Sequence, residues 1–329
     1  MTSQQYDDKL MFKTAWLYYM DGLTQSEIAY RLHLSAAKVS RLLQRARGHG
    51  MVEIRLNHPL LGGYTELERQ IETRFGLEEA IVANTDADRE TTKHNVGKAG
   101  AYYLERLLHG AFLLGVGMGR TLTYMLPYLS HHKPGEGVIV TIGGGYSLPE
   151  RDTSAYNVSW RMADLLGARL EQLFCPLVVE SAEARDLLLQ DRRLSAQLER
   201  AAACDVVVIS IGDLTEPIPL VELGYCHITE IEQLRAAGAV GEVMSNFYNL
   251  DGQLVFTPLN QRSIALSLDQ LCRVPVTIAL SSGPEKVAAI LGALRSGCLN
   301  VLITDFATAE AVLELDEATR TDGSAKTRR

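Results

Sequence analysis

Cysteine is scarce in this 329-residue chain, and the five present (Cys175, Cys204, Cys226, Cys272 and Cys298) stand far apart with no Cys-x-x-Cys pair. An odd number at such spacing supports neither a disulfide framework nor a zinc site, so they read as small buried hydrophobes. Histidine offers no metal site either: His131-His132 runs into Lys133-Pro134-Gly135 without further ligands and reads as a solvated loop. No apolar run approaches the roughly 20 residues that a bilayer span needs. A secretory leader is also missing, because the start MTSQQYDDKL carries acids where such a signal carries basic residues before an apolar stretch. These absences point to the cytoplasm and to a chain that needs no cofactor or metal.

What is present is a globular composition, 47% apolar and 22% charged, in a length that exceeds one ordinary core and suggests two folding units. The charge is unevenly divided. Residues 1–58 hold eight Lys or Arg and five Asp or Glu, net +3, so 24 basic and 35 acidic residues, net −11, fall on the remaining 271. From Arg31 to Arg55 six basic residues face one acid, Glu53. A small basic head on a large acidic body suggests that the head meets a polyanion and the body something else.

Within the head, Thr24 followed three residues on by Glu27 is a capping-box signature that starts a helix. Ile28, Leu32 and Leu34 supply apolar contacts, Ser35 can cap a second helix, and Val39, Leu42 and Leu43 give that helix one buried stripe. Small Ala29 fits the crossing of the two helices, and His33 occupies the turn, where positive φ is usual. This is the packing pattern of a helix-turn-helix, whose second helix enters the major groove of DNA. Ser35, Ala36, Ala37, Ser40 and Arg41 would then face base edges, with Arg41 suited to guanine and the alanines to a thymine methyl. Lys38, Arg45, Gln25 and Ser26 would meet phosphates. An aromatic-rich helix over 8–20 precedes the pair, and MVEIRLNHP at 51–59 reads as a closing strand in the manner of a wing. The other reading of the same residues is a helical hairpin with a solvated basic face.

After PLLGGY at 59–64 a helical linker or dimer contact spans 64–75, and beyond Gly76 the texture becomes β-α alternation. Continuous apolar strands such as DVVVISIG, separated by helices, predict an α/β doubly wound, Rossmann-like parallel sheet covered on both faces. Ligands of such sheets lie beyond the carboxyl ends of the strands. Three ends stand out. LGVGMGRTL at 114–122 runs from strand through glycine loop to helix, so amides at Gly119, Arg120 and Thr121 could cradle a phosphate, though no dinucleotide or Gly-Lys-Ser/Thr fingerprint is present. TIGGGYS at 141–147, centred on Gly144, permits close approach of a ligand, and SSGPEK places Lys286 in a first helical turn, where a cation suits a bound anion.

These motifs in order, TAWLYYMDGLTQSEIAYRLHLSAAKVSRLL, LGVGMGRTL, AGAVGEVMSNFYNLDGQ and SSGPEKVAAILGALRSGCLNVLITDFATAEAVL, resemble the SorC family of bacterial sugar-responsive transcription regulators over about residues 10–315. The resemblance implies a winged helix-turn-helix head at 1–58, a linker at 59–76, and an effector and oligomerisation domain at 77–316 similar to sugar-phosphate isomerases and deaminases. It also implies a homo-oligomer, dimer or tetramer, that binds operator DNA under control of a phosphorylated sugar or polyol. By motif, Gly117, Met118, Gly119, Arg120, Thr121 and Lys286 would hold the effector's phosphate end, Glu242 its hydroxyls, and Asp213 is a weaker candidate. Three positions depart from the family's habit: Ala36 where Arg is frequent, Glu242 where Asp is usual, and Met118 where Trp is common. The final stretch, 317–329, lacks apolar periodicity and is expected to be disordered. Because the body resembles enzymes, a phosphosugar isomerase or deaminase is the rival reading, and a regulator answering to an unphosphorylated polyol is another. No His lies near the three loops to act as acid or base, which favours a regulator and no catalytic residue.

Overall fold

The computed structural model describes residues 3–52, 61–131, 135–145, 155–215, 219–222 and 224–326. The chain divides into two compact units, Met1–Gly62 and Gly63–Arg329. The first is mostly helical: α1 (Ser3–Tyr19), α2 (Gln25–Leu32) and α3 (Ala36–Gly48). Helix α1 begins five residues earlier than its aromatic pattern suggests. The three helices close on Met11, Ala15, Leu17, Ile28, Ala29, Val39, Leu42, Leu43 and Ala46. The Thr24 box forms in full: the Glu27 N–H donates to Thr24 Oγ1 at 3.3 Å and the Thr24 N–H donates to Glu27 Oε2 at 2.8 Å. His33 turns the chain in the left-handed region (φ 53°, ψ 44°), a conformation that disfavours a Cβ by about 1–2 kcal/mol. Ser35 caps α3 by accepting the Lys38 N–H. The strand expected at 51–59 lies outside the described residues from 53 onward.

The larger unit opens with α4 (Leu61–Phe75), whose Leu67 and Ile71 are buried in the unit's own core, so this segment is a docked helix there and no free linker. There follow β1 (Glu79–Ala83), α5 (Arg89–Leu107), β2 (Leu113–Val116), the single turn α6 (Arg120–Thr123), β3 (Val138–Thr141), α7 (Ala155–Leu166) and β4 (Arg169–Glu171). Next come α8 (Ala182–Leu189), α9 (Arg192–Ala202), β5 (Val206–Ser210), β6 (Gly212–Asp213), α10 (Pro219–Glu222), α11 (Ile228–Ala236), β7 (Ala239–Val243) and β8 (Asn246–Asn249). Last are α12 (Pro258–Gln261), α13 (Leu268–Leu271), β9 (Val276–Leu280), α14 (Val287–Arg295), β10 (Val301–Asp305) and α15 (Phe306–Lys326).

Seven strands make one parallel sheet in the order β1-β10-β9-β5-β2-β3-β4. Its apolar strands are buried because helices cover both faces. One face packs Val96 and Leu104 of α5 and Val158 and Met162 of α7. The other packs Ile71 of α4, Ile290 and Leu294 of α14 and Val312 of α15. From β2 the chain steps one way to β3 and β4, while β5, β9, β10 and β1 extend the other way. The order therefore reverses between β2 and β5, and that crevice is where a doubly wound sheet receives its ligand.

Three findings differ from the sequence reading. A second sheet, antiparallel in the order β6-β7-β8, was not foreseen. Helix α15 continues through residue 317 where a disordered tail is expected. Its anchor is the wholly buried Asp316, bonded to Arg74 at 2.5 Å, Arg295 at 2.7 Å and Arg320 at 3.0 Å. Finally, Cys272 is exposed, with its sulfur against that of Cys298, so one of the five cysteines is not a plain buried hydrophobe. Residues 272 and 298 are far apart in sequence but precede the adjacent strands β9 and β10, which sets them side by side.

Candidate functional site

At the carboxyl ends of β2, β5 and β9 lies a polar cavity of about 100 Å³. Its wall includes Met118, Gly119, Arg120 and Thr121 after β2, Ser210, Gly212 and Asp213 after β5, Glu242 on β7, and Ser282, Glu285 and Lys286 after β9. Close approach of the loops depends on glycine. Gly119 has φ 139°, and a Cβ there would stand 2.5 Å from Ser210 Cβ, so the loop after β2 could not lie on β5 with any other residue. Across the same gap Ser210 donates to Thr121 Oγ1 at 3.3 Å. The N–H groups of Gly119, Arg120 and Thr121 find no acceptor among the described residues. Since α6 is a single turn, those amides act as local donors with little helix dipole behind them.

Charge inside the cavity is paired. The Lys286 ammonium lies 2.6 Å from Asp213 Oδ2 and donates to the Ile211 carbonyl at 2.9 Å. An ammonium has three N–H donors, so one is left for a ligand. Burial opposes ionisation of Asp213, yet Lys286 and the bonds from Thr215 outweigh it and hold its carboxyl below the ordinary range. Glu242 behaves in the opposite way. Burial pushes its pKa up, and the Ser245 N–H at 2.8 Å together with Lys286 offsets only part of that. Two carboxyls in one cavity are thus driven apart, Asp213 toward the anion and Glu242 toward the neutral acid.

Glu242 reaches the cavity through the small sheet. Pairing of Gly212 with Glu242 lays the carboxyl directly over the Gly212 backbone, where a Cβ would collide with it. The β7–β8 turn is Met244-Ser245, both at positive φ (51° and 62°). Met244 is buried there, and its Sδ accepts the Met118 N–H at 3.4 Å, which ties the hairpin to the loop after β2.

Of the residues singled out from sequence, Met118, Gly119, Arg120, Thr121, Asp213, Glu242 and Lys286 meet around this cavity. Gly117 and Gly144 are not in its wall. The Gly117 N–H is committed to the Val208 carbonyl, and Gly144 packs on the backbone of Cys175 and Pro176 while donating to the Ile264 carbonyl. Sequence reasoning missed Lys93, Tyr124, Ser210, Ser282 and Glu285. Ser210 and Ser282 end or follow predicted strands, so the strand-end rule could have found them. Lys93 and Tyr124 come from helix faces with no motif. They form a unit with Glu90, which takes the Lys93 ammonium at 2.6 Å and the Tyr124 hydroxyl at 2.5 Å. Burial and then Glu90 push the Tyr124 hydroxyl up to about 12.

In the head, Ser35, Ala36, Ala37, Lys38, Ser40, Arg41 and Arg45 all lie on the exposed side of α3, with Ser26 exposed and Gln25 half-buried on α2. No carboxylate among the described residues pairs with Lys38, Arg41 or Arg45. The single local bond is from Arg41 Nε to the Ala37 carbonyl at 3.3 Å. No helix among the described residues is long and apolar enough to cross a membrane.

A helical head with a basic face, joined to an α/β unit with a polar cavity at the sheet's switch point, is the architecture of a two-part ligand-binding regulator. Residues 61–314 match the family described as "Putative sugar-binding domain". The chain is 31% identical over 314 residues to the erythritol catabolism regulatory protein EryD of Brucella abortus, covering 93% of this chain and 97% of that protein. It is 29% identical to the sorbitol operon regulator of Klebsiella pneumoniae, covering 94% and 98%. The crystal structure of full-length SorC from Klebsiella pneumoniae is similar with a TM-score of 0.72 and 27% identity, covering 93% of this chain and 98% of that one. The chain belongs to the SorC family of sugar-binding transcription regulators.

Proposed function

We propose that this protein is an operator-binding repressor of a carbohydrate uptake or catabolic operon, cytoplasmic and homo-oligomeric, whose grip on DNA is set by a phosphorylated sugar or polyol in the cavity. The head is read as a winged helix-turn-helix, with α3 in the major groove: Arg41 on guanine, Ala36 and Ala37 against a thymine methyl, Ser35 and Ser40 on base edges. Lys38, Arg45, Gln25 and Ser26 position it on phosphates. The observation that carries this half is that the cations of α3 are exposed and have no carboxylate partner among the described residues.

In the body, the amides of Gly119, Arg120 and Thr121 take the phosphate, helped by Arg120 and the remaining donor of Lys286, while Asp213 and Glu242 meet hydroxyls. Effector control then follows from linkage: the ligand shifts operator affinity only by the difference in its affinity for the DNA-competent and incompetent assemblies, typically about 5–150-fold. The relatives named for erythritol catabolism and a sorbitol operon support a polyol-related effector. Fluorescence anisotropy of DNA from upstream of the protein's own gene, titrated at fixed salt with and without a panel of sugars and sugar phosphates, tests both halves. Tight binding shifted by one phosphorylated compound is expected; a shift by the unphosphorylated compound alone removes the phosphate, and no binding at low salt removes the head.

The opposed carboxyls favour a second reading. A neutral Glu242 beside an ionised Asp213 is the arrangement of an acid and a base, as an isomerase or deaminase of phosphosugars requires. Turnover of pentose or hexose phosphates by the purified protein would establish it. None is expected, because Asp213 is bound to Lys286 and no His among the described residues lines the cavity.

A further inference from the structure

The cavity holds an anion of its own. Three cations line it and differ in what they already bind: Arg120 is exposed, Lys93 is paired with Glu90 at 2.6 Å, and the mostly buried Lys286 is paired with Asp213 at 2.6 Å. The Asp213 carboxylate is anchored from its other side as well. Its second oxygen accepts the Thr215 N–H at 2.8 Å and the Thr215 hydroxyl, and its backbone is paired with Gly241 in the small sheet.

Lys286 gives a second N–H to the Ile211 carbonyl at 2.9 Å. Its third is the one that an anion on the Gly119–Thr121 amides can use. Acceptors on two N–H bonds of one tetrahedral ammonium, each about 2.8 Å from the nitrogen, lie about 4.5 Å apart. The anionic end of a ligand on Lys286 thus stands within the roughly 4–6 Å over which neighbouring charges act strongly on each other. Burial opposes ionisation of Asp213, but Lys286 and Thr215 prevail and keep it an anion at neutral pH, so the repulsion is in force there. Glu242, at the floor of the cavity, is driven toward the neutral acid by burial and repels an anion less. A ligand removes the penalty by bringing a donor: a hydroxyl on a carbon near its phosphate turns the like-charge contact with Asp213 into a charged hydrogen bond.

We propose that Asp213 is a specificity-determining residue, a built-in competitor for Lys286 that rejects anions lacking a nearby hydroxyl and admits those that carry one. The inference rests on the reading of the cavity as the site of a phosphorylated effector, and it gives Asp213 the choice between a hydroxylated phosphate ester and a plain one.

Calorimetric titration of the full chain with glycerol 3-phosphate and with n-propyl phosphate, at fixed salt and pH 7 in a phosphate-free buffer, tests it. The two compounds share the charged end and the three carbons and differ only in hydroxyls. A charge at this range shifts an ionisation by about 1–3 units, and one unit is tenfold in affinity. Wild type should therefore prefer glycerol 3-phosphate by about tenfold or more. Asp213→Asn keeps the shape and removes the charge, so its affinity for n-propyl phosphate should rise about tenfold or more, that for glycerol 3-phosphate should rise less, and the preference should narrow. If Asp213→Asn lacks the thermal transition of wild type, Asp213→Ser should show the same rise. Equal affinity for n-propyl phosphate in wild type and folded variant overturns the assignment to Asp213, and so does a wild type that binds the two compounds equally. In either case a phosphorylated compound that still shifts operator binding leaves the reading of the cavity standing. If neither compound binds any form, Lys286 holds no anion and the inference falls; the reading falls with it when no phosphorylated compound shifts operator binding.

Discussion

The two units handle charge in opposite ways. On α3, Lys38, Arg41 and Arg45 stand in solvent without acidic partners among the described residues, whereas in the larger unit Lys286 is locked on Asp213, and Arg74, Arg295 and Arg320 converge on buried Asp316. An exposed unpaired cation contributes nothing to its own fold and is available to a polyanion. A buried pair contributes to the fold and releases a charge to a ligand only by exchanging one partner for another. The same residue types thus do association in one place and architecture in the other, and burial separates the two roles.

The largest effect expected is on DNA. Replacing Lys38, Arg41 and Arg45 together by Ala should weaken operator binding by about 1,000-fold or more and lower the salt dependence by about two phosphate contacts, those of Lys38 and Arg45. Melting temperature should change little, since these side chains are exposed and make one local bond, from Arg41 to the Ala37 carbonyl. Arg41→Ala alone should lose about 1–3 kcal/mol and relax discrimination at one base pair. Measured by anisotropy at several salt concentrations, a triple variant that binds DNA normally would end the contrast between the units.

Next in size is a pure stability effect in the body. Asp316→Asn leaves three guanidinium groups without their carboxylate and should destabilise the larger unit by about 3 kcal/mol. The bonds from Arg295 and Arg74 overcome the burial of Asp316 and depress its pKa. A depressed carboxyl stabilises fully above its unfolded value near pH 4 and loses that contribution as pH falls through the folded value. Thermal melts from pH 7 down to pH 3 should therefore show wild type converging on the variant only at the acid end. Operator affinity at pH 7 should be unaffected below the melting range.

Lys286→Ala sharpens the comparison further, because it touches stability and ligand at once. Removing the ammonium takes a charged hydrogen bond from the effector, about 1.5–3 kcal/mol, or a 10–150-fold loss of response. It also leaves Asp213 buried without its partner, so the variant should melt earlier at neutral pH. Direct titration of effector, beside a melting curve, separates the two. An unchanged effector response would remove Lys286 from the site.

Much of this was legible in the sequence, and unevenly so. The head could be read almost residue by residue, since caps, turn and amphipathic stripe are local: Thr24, Glu27, His33 and Ser35 do what their spacing predicts. The parallel strands were also legible, because burial on both faces leaves continuous apolar runs. Illegible features were those made by distant segments. The β7–β8 hairpin hid because its two-residue turn is Met244-Ser245 at positive φ, where Gly, Asn or Asp would ordinarily announce it. Asp316 lies in a polar stretch, and only the folded chain brings Arg74 and Arg295 to it. Lys286 was noticed as a cation seeking an anion, but its resident anion, Asp213, sits 73 residues away and is supplied by the fold. Cys272 and Cys298 likewise gain their relation from the adjacency of β9 and β10.

The smallest predicted effect is a gain. Burial raises the pKa of Glu242, so between its ordinary value and its folded value the unfolded chain has released a proton that the folded chain retains. Over that range the folded state loses stability as pH rises. Glu242→Gln keeps the shape, removes the ionisable group and should raise the melting temperature of the larger unit at pH 7. A gain of about 1 kcal/mol corresponds to roughly 2–4 °C. The difference should shrink as pH falls below about 4.3, where the unfolded glutamate is protonated too. Melting curves of both proteins across pH 4–8 measure this, and a gain that does not vary with pH would mean that packing, not ionisation, is responsible. Effector affinity should fall in the same variant, since an amide at the floor replaces the carboxyl that meets the hydroxyls. A residue whose removal stabilises the fold and weakens the ligand is held by function, which is the reverse of Asp316 and places these two acids of one unit on opposite sides of the division drawn between head and body.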